Sequence, residues 1–317
     1  MSTVLITGGS GFLGRRLAVA LRGRHRVVLA ARNHKLNHAA EHFTGCPVIP
    51  MDVAHIEAVR DVFGEIRPEI VVHAAATKFV DLAERQPLEC IDVNVVGSEN
   101  VARVAIEKGV AAVVGISTDK AAPPVRNTYG LTKALMERMF CALDGKTATR
   151  FACVRYGNVA WSTGSVLPIW KRMHESTGVI GTTGPDMTRF FFTVDSAVAL
   201  VLTALDHMED VRGRVLGREM KSARIRDILD LWIKTRGGRW EPIAGRPGER
   251  TDEYLLGDAE LPFTVERRFD GIRHFVISFN QRAAEPVAAG LSSATAVRLS
   301  EAEILDIIGS PPVEELK

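Results

Sequence analysis

Residues 7–14 read Thr-Gly-Gly-Ser-Gly-Phe-Leu-Gly, and no other segment narrows the possible folds as far. A β-branched and aliphatic run, residues 3–7, precedes the turn. Residues 12–21 after it have the apolar spacing of a helix. Glycines at 8, 11 and 14 permit a tight turn and leave no Cβ between the backbone and a bound anion. The first turn of the following helix offers unpaired N–H groups to that anion. A strand before and a helix after make an otherwise common glycine pattern specific.

The rest of the first half keeps the same rhythm. Strand-like runs at residues 26–31, 48–53, 70–75, 112–117 and 151–156 alternate with helical patterns at 56–66, 90–108 and 129–143. This alternation predicts an α/β fold: a Rossmann-type doubly wound parallel sheet with a smaller C-terminal substrate-binding region. Residues 1–156 form the expected dinucleotide-binding domain. Residues 157–317 form mainly the second region, with some segments returning to the sheet. Turn-rich stretches there alternate with helices at 193–205 and 225–232, and the basic stretch 212–221 reads as a surface loop.

Composition excludes several classes. The 317 residues carry 40 Lys plus Arg against 38 Asp plus Glu, a balance that argues against a nucleic-acid partner. Cys46, Cys90, Cys141 and Cys153 form no CxxC pair, so no zinc or iron–sulfur framework is expected. His34, His38 and His42 would line one helix face, but nothing completes a ligand set, and they read as a solvated face with no metal. No apolar run reaches roughly 18 residues, so no membrane span is expected. The first strand starts close to Met1, which predicts no leader peptide and a cytoplasmic location.

The expected dinucleotide contacts run along the strand ends. Gly8, Ser10, Gly11, Phe12, Leu13 and Gly14 would cradle the pyrophosphate. The second strand ends at Arg32 and Asn33, where an NAD site usually places an acidic residue for the ribose hydroxyls. Arg32, with Arg15 after the last glycine, suits a 2′-phosphate instead, so NADP is expected in preference to NAD. Asp52 and Val53 would lie beside the adenine. Ala74, Ala75 and Ala76 end the fourth strand with side chains small enough to let the cofactor pass.

Chemistry concentrates in Ser117-Thr118-Asp119-Lys120 and Tyr129-Gly130-Leu131-Thr132-Lys133. Tyr129 and Lys133 are four apart at a helix start and face the same way. An ammonium beside a phenol favours the phenolate, which makes Tyr129 a candidate base toward a hydroxyl. Thr118 could hydrogen-bond the same hydroxyl.

With the glycine turn, Tyr129, Lys133 and Asn94, the chain resembles the extended short-chain dehydrogenase/reductase superfamily. It is most similar to the polysaccharide-biosynthesis branch typified by inverting UDP-N-acetylglucosamine 4,6-dehydratases. The shared stretches include His73-Ala74-Ala75-Ala76 with Lys78, Thr118-Asp119-Lys120, Met187-Thr188-Arg189-Phe190 and Gly245-Arg246-Pro247-Gly248-Glu249. Phe79, Asp81 and Thr163 depart from the usual pattern.

That resemblance implies a reaction. The sugar is oxidised at C-4, water is lost across C-5 and C-6, hydride returns to C-6, and the cofactor ends unchanged. Asp119 would protonate the leaving C-6 hydroxyl and Lys120 would remove the C-5 proton, which requires a neutral lysine. Asn94 and the Tyr129/Lys133 pair would also touch the cofactor. Lys78, Asn158, Arg189, Arg246 and Glu249 would hold the nucleotide-sugar substrate, and two helices would pair across a homo-oligomer. Three alternatives remain: a nucleotide-sugar 4-epimerase, a dehydratase releasing a 5,6-unsaturated sugar, and a non-catalytic NADP-binding sensor.

Overall fold

The computed structural model describes residues 1–312. It opens with β1 (Thr3–Thr7), α1 (Phe12–Leu21), β2 (Arg26–Ala31), α2 (His34–Thr44), β3 (Val48–Pro50), α3 (Ile56–Ile66) and β4 (Ile70–His73). Two short helices, α4 (Val80–Arg85) and α5 (Pro87–Ile91), lead into a π-helical stretch at Asp92–Val96 and α6 (Gly97–Glu107). Then come β5 (Ala112–Ile116), a 3-10 turn at Asp119–Ala121, α7 (Thr128–Leu143) and β6 (Arg150–Arg155). The second half holds β7 (Asn158–Val159), α8 (Val166–Thr177), β8 (Val179–Thr182), β9 (Thr188–Phe192), α9 (Val194–Asp206), α10 (Met208–Val211) and β10 (Val215–Arg218). It continues through β11 (Ser222–Arg224), α11 (Ile225–Arg236), β12 (Arg239–Pro242), β13 (Tyr254–Leu256), β14 (Thr264–Phe269), β15 (Ile272–Ile277), β16 (Leu291–Ser292) and α12 (Glu301–Gly309).

The continuous apolar runs make the centre of a nine-stranded sheet ordered β14-β15-β10-β6-β5-β4-β1-β2-β3. β1 to β6 and β10 pair in parallel, and β15 and β14 add an antiparallel edge. Leu5, Ile6, Val72 and Val114 are fully buried, as strands covered on both faces require. Strand order reverses between β1 and β4, and the crevice beyond their carboxyl ends is where such sheets take ligands.

Two features differ from the sequence reading. The basic stretch 212–221 is not a surface loop, because Val215 and Leu216 are fully buried in β10 between β6 and β15. Its apolar centre is too short for periodicity to register against flanking charges. The β14–β15 hairpin was also missed. Its signal is Asp270-Gly271, with φ of 50° and 76°, the left-handed pair that suits a two-residue hairpin turn.

The helical pattern over 90–108 resolves into α5, the π-helical stretch and α6. Asn94 sits inside the π turn, fully buried. Its amide donates to the Thr77 carbonyl and its oxygen accepts from the Thr77 N–H, at 2.9 and 2.8 Å. It therefore braces the loop after β4. On the same strand, the His73 ring bonds Thr7 Oγ1 at 2.8 Å and Ser98 Oγ at 3.0 Å, joining β1, β4 and α6. Burial pulls the His73 pKa down to about 3, so the ring is neutral.

The two halves of the chain are fastened by charge. Arg155, at the end of β6, is fully buried between Glu137 of α7 and Glu260 of the 258–263 turn. It bonds Glu137 at 2.9 and 2.6 Å, Glu260 at 2.9 and 2.8 Å, and the Leu255 carbonyl at 3.1 Å. Removing one member of such a cluster leaves uncompensated buried charge. Arg155→Ala is expected to lower the unfolding free energy by roughly 3–5 kcal/mol in chemical denaturation. A loss below about 1 kcal/mol would show that the cluster does not fasten the fold.

Candidate active site

The glycine turn follows β1 directly and the structure shows why these positions lack side chains. Gly8 has φ of +67°, and a Cβ there would lie 2.6 Å from Ala75 N and 2.8 Å from Ala74 C. A Cβ on Gly14 would lie 2.7 Å from Gly9 Cα. Gly9, which the motif spacing passed over, is as constrained: its Cβ would meet Leu29 and the Ile6 carbonyl at 2.7 and 2.8 Å. Helix α1 starts after Gly11 with no side-chain cap, so its first N–H groups face the crevice without a protein acceptor from that position. This uncapped start and the cradle that any Cβ would fill fit a dinucleotide pyrophosphate. Ser10 and Phe12 are buried, and Leu13 packs on the core.

Farther out, Arg32 lies 3.5 Å from Asp52, and its side chain is 52% exposed. Asp52 also accepts from Ala54 N, while the Val53 carbonyl accepts from Asn100. Asn33 caps α2 through Leu36 N. Arg15 packs against the Phe43 ring. Ala74 and Ala75 donate to the Thr7 carbonyl and hydroxyl, which sets their backbone beside Gly8. Among the described residues no group of three or more His, Cys, Asp or Glu could hold a metal ion.

The reactive groups meet where β5, α7 and β13 converge. Asp119 Oδ1 accepts from Thr118 Oγ1 at 2.9 Å and from Lys120 Nζ at 3.0 Å. Lys120 Nζ also donates to Asn158 Oδ1 at 3.3 Å and stands 3.6 Å from Glu253 Oε1. Asp119 is fully buried, and the Lys120 side chain is 15% exposed. Asp119 Oδ2 and Glu253 Oε2 are buried with no hydrogen-bond partner. Burial opposes charge on Lys120, but Asp119 and Glu253 outweigh it and hold the ammonium above its ordinary range. The neutral lysine expected of a base is therefore not the resting form. A base at this position would first have to pass its proton on, and Asp119 Oδ1 at 3.0 Å is the nearest acceptor.

Tyr129 and Lys133 are buried on α7. Burial pushes the Tyr129 phenol up to about 12, opposed by the Lys120 charge and a hydrogen bond with Thr118. Burial brings Lys133 down to about 8, and its Nζ contacts Met136 Sδ at 3.3 Å. The i,i+4 spacing suggested that Lys133 would acidify the phenol. In the free protein Lys120 is the cation that does so, because Lys133 lies toward the α7–β6 seam.

The expected substrate residues divide in position. Asn158 joins the reactive cluster. The Arg189 guanidinium is buried and donates to the carbonyls of Thr188, Thr251 and Arg250, at 2.7, 3.0 and 2.7 Å. It thus shapes the segment carrying Glu253. Arg246 is exposed and pairs with Glu249 at 3.4 Å, and Glu249 accepts from Thr183. Lys78 is exposed near the Phe79 ring. Glu253 escaped the sequence reading. Its one signal was an acidic residue at the head of the apolar Tyr254-Leu255-Leu256 run.

The doubly wound sheet, the glycine turn and the Tyr129/Lys133 helix define an enzyme of the extended short-chain dehydrogenase/reductase type. Within that class the chain belongs to the polysaccharide biosynthesis protein family, whose profile matches residues 4–269. It is 30% identical over 277 residues to an inverting UDP-N-acetylglucosamine 4,6-dehydratase of Campylobacter jejuni, covering 83% of this chain and 80% of that one. It is 34% identical over 276 residues to a UDP-glucose 4-epimerase of Rickettsia bellii, covering 82% and 79%. The X-ray structure of Pen from Bacillus thuringiensis superposes with a TM-score of 0.89 at 26% identity, over 97% of this chain and 96% of that one.

Gly8→Ala tests the cradle. The added methyl would collide with backbone, so binding of a nicotinamide dinucleotide measured by calorimetry is expected to fall below detection in a folded protein. Wild-type affinity would place the pyrophosphate elsewhere.

Proposed function

We propose that the protein is a nucleotide-sugar 4,6-dehydratase that acts on UDP-N-acetylglucosamine or a related UDP-sugar and inverts C-5. The observation that carries this reading is the buried Asp119–Lys120 pair beside Thr118 and Tyr129. Oxidation at C-4 needs only the phenol and its hydrogen-bond partner. A second acid and a second base, held dry and 3.0 Å apart, answer the needs of an elimination.

A nicotinamide cofactor in the glycine crevice would accept hydride from C-4 and give it back at C-6, and a proton from water would then have to reach C-5 from the face opposite Lys120 for that centre to invert. Thr118 would hold the C-4 hydroxyl, and Tyr129 would take its proton as the phenolate, a form the Lys120 charge favours and burial opposes, so the phenol must first give up its own proton to solvent. The ion pair and the neutral pair of Asp119 and Lys120 contain the same atoms. Moving one proton from Nζ to Asp119 creates a free amine and a carboxylic acid together. The amine then takes the C-5 proton, made acidic by the C-4 ketone, and the acid protonates the leaving C-6 hydroxyl. The proton from Nζ reaches Asp119 Oδ1, the oxygen 3.0 Å away, and the leaving hydroxyl would be protonated from that same edge. Arg246 and Glu249 would meet the nucleotide at the outer rim. NADP in preference to NAD is supported by the half-exposed Arg32 and by the lack of any acidic residue in 30–33. The four free cysteines suit a reducing cytoplasm.

Incubation with UDP-N-acetylglucosamine and either dinucleotide, followed by mass spectrometry and proton NMR, is expected to give a product lighter by one water, faster with NADP. No such product from several UDP-sugars would refute the reading. Lys120→Ala should slow C-4 oxidation in part, because the charge beside Tyr129 is lost, and should slow elimination by about 10²-fold or more beyond that, so that reduced cofactor accumulates. The Rickettsia relatives favour a second reading, 4-epimerisation, under which Lys120→Ala would lower turnover only as far as it slows C-4 oxidation, with no reduced cofactor accumulating and no product lighter by one water from the wild-type protein.

A homodimer is part of the proposal. Leu88 and Ile91 on α5 and Leu131 and Leu135 on α7 are 75, 39, 58 and 50% exposed, a concentration of apolar surface on two packed helices. Light scattering is expected to give twice the chain mass, and Leu131→Glu to give a monomer. A monomeric wild-type protein would overturn the assignment.

A further inference from the structure

Resting on the dehydratase reading, we infer that Glu253 is a positioning residue for the elimination half of the reaction, acting through the Lys120 amine. The geometry has three parts. Lys120 Nζ has Asp119 Oδ1 at 3.0 Å, Asn158 Oδ1 at 3.3 Å and Glu253 Oε1 at 3.6 Å around it. Glu253 is 2% exposed and its second oxygen is a buried acceptor with no partner. Its backbone is clamped on both sides: Glu253 N donates to Ser293 Oγ at 2.9 Å and its carbonyl accepts from Ser293 N at 2.7 Å. The preceding residues are tied to Arg189 through the Arg250 and Thr251 carbonyls. A carboxylate with this much support is fixed in place rather than free to choose a partner.

Stereochemistry gives the carboxylate its task. A neutral amine has two N–H donors and one lone pair. With the third proton moved to Asp119, the remaining N–H groups face Asn158, a hydrogen-bond acceptor at 3.3 Å, and the Glu253 carboxylate, an ion-pair partner at 3.6 Å. With Asn158 accepting one N–H and the Glu253 charge holding another side of the nitrogen, the lone pair lies where the transferred proton left, on the Asp119 side, and C-5 must present its proton there, next to the acid. Without Glu253 the amine can turn about its stem, and the lone pair has no fixed direction. The same carboxylate stabilises the ammonium that forms as the C-5 proton arrives. Protons and charge balance in the elimination: the count on Asp119, Lys120, the sugar and the released water together is unchanged, and Glu253 neither gains nor loses one.

Glu253 feels every charge that faces it. Asp119 and Lys120 approach from the 119–121 turn, Arg189 from β9 and Arg250 from its own loop. Burial raises its pKa and the Lys120 ammonium opposes that rise. The Lys120 ammonium in turn faces Asp119, Glu253, Arg189 and Tyr129. Removing the Glu253 charge takes away one of the two carboxylates that favour the proton on Lys120. The basic limb of kcat, where the last proton leaves the Asp119–Lys120 pair, must then move to lower pH.

The test is Glu253→Gln in the full chain, with UDP-N-acetylglucosamine and NADP. Stopped-flow absorbance at the reduced-nicotinamide band reads C-4 oxidation, and mass spectrometry reads water loss. The expected result is near-normal oxidation with accumulation of reduced cofactor, a kcat for dehydration lower by roughly 10- to 100-fold, and KM within about twofold. The basic limb should fall by about one pH unit. Glu253→Asp, which keeps the charge but shortens the reach, should restore the limb and only part of kcat. It also carries the test if the glutamine variant does not fold. Wild-type kcat and limb position in a folded variant would overturn the inference, as would equal loss of oxidation and elimination. Absence of dehydration in the wild-type protein would instead refute the functional reading on which it rests.

Discussion

A single buried guanidinium sets the distances on which this protein depends. Arg155 gives four hydrogen bonds to two carboxylates and a fifth to a carbonyl, and each acceptor belongs to a different piece of the molecule. Glu137 is on the helix that carries Tyr129 and Lys133. Leu255 and Glu260 follow Glu253. The strand that ends in Arg155 leads directly to Tyr156, whose carbonyl accepts from Asp119 N. Hydrophobic contacts could bring the same elements together, but they are tolerant of small slides. Bidentate ion pairs are directional and fix rotation as well as distance. Replacing such a cluster by apolar residues can be neutral for stability, so its presence here speaks for registration of the two halves.

Against that rigid frame the reactive cluster is left partly unsatisfied. Two carboxylate oxygens, on Asp119 and Glu253, are buried with no partner, and both lie around one lysine. A folded chain seldom tolerates such atoms without compensation. The overall charge of +2 hides this local imbalance: one cation between two carboxylates, with Arg189 behind them.

Much of this was legible from sequence, and the limits are physical. The glycine turn announced itself because φ above zero and backbone contact leave one residue type free of strain. The parallel strands showed because burial on both faces forces unbroken apolar runs. The Tyr129/Lys133 spacing was visible, but not that Lys133 would turn toward Met136, since spacing fixes a helix face and not a rotamer. The sequence reading placed Arg189 at the substrate phosphates. Whether its donors meet phosphate or the three carbonyls they reach depends on a loop sixty residues away. Glu253 was silent for a related reason. A lone acidic residue at a strand start usually faces water, and only the fold reveals Lys120 beside it. In β10, too, the flanking charges dominated a short apolar centre that tertiary packing buries.

The π-helical turn at Asp92–Val96 bears on how this chain can change length. A π turn is an α-helix with one extra residue accommodated. Deleting one residue there would leave a regular helix with its hydrogen bonds intact, and by local propensity would cost little. Yet it would rotate the preceding helical face by about 100° relative to the following one. Asn94 would lose both bonds to Thr77, or α5 would lose its seat against α7. The segment is thus cheap to shorten as a helix and expensive to shorten as a brace for the cofactor crevice.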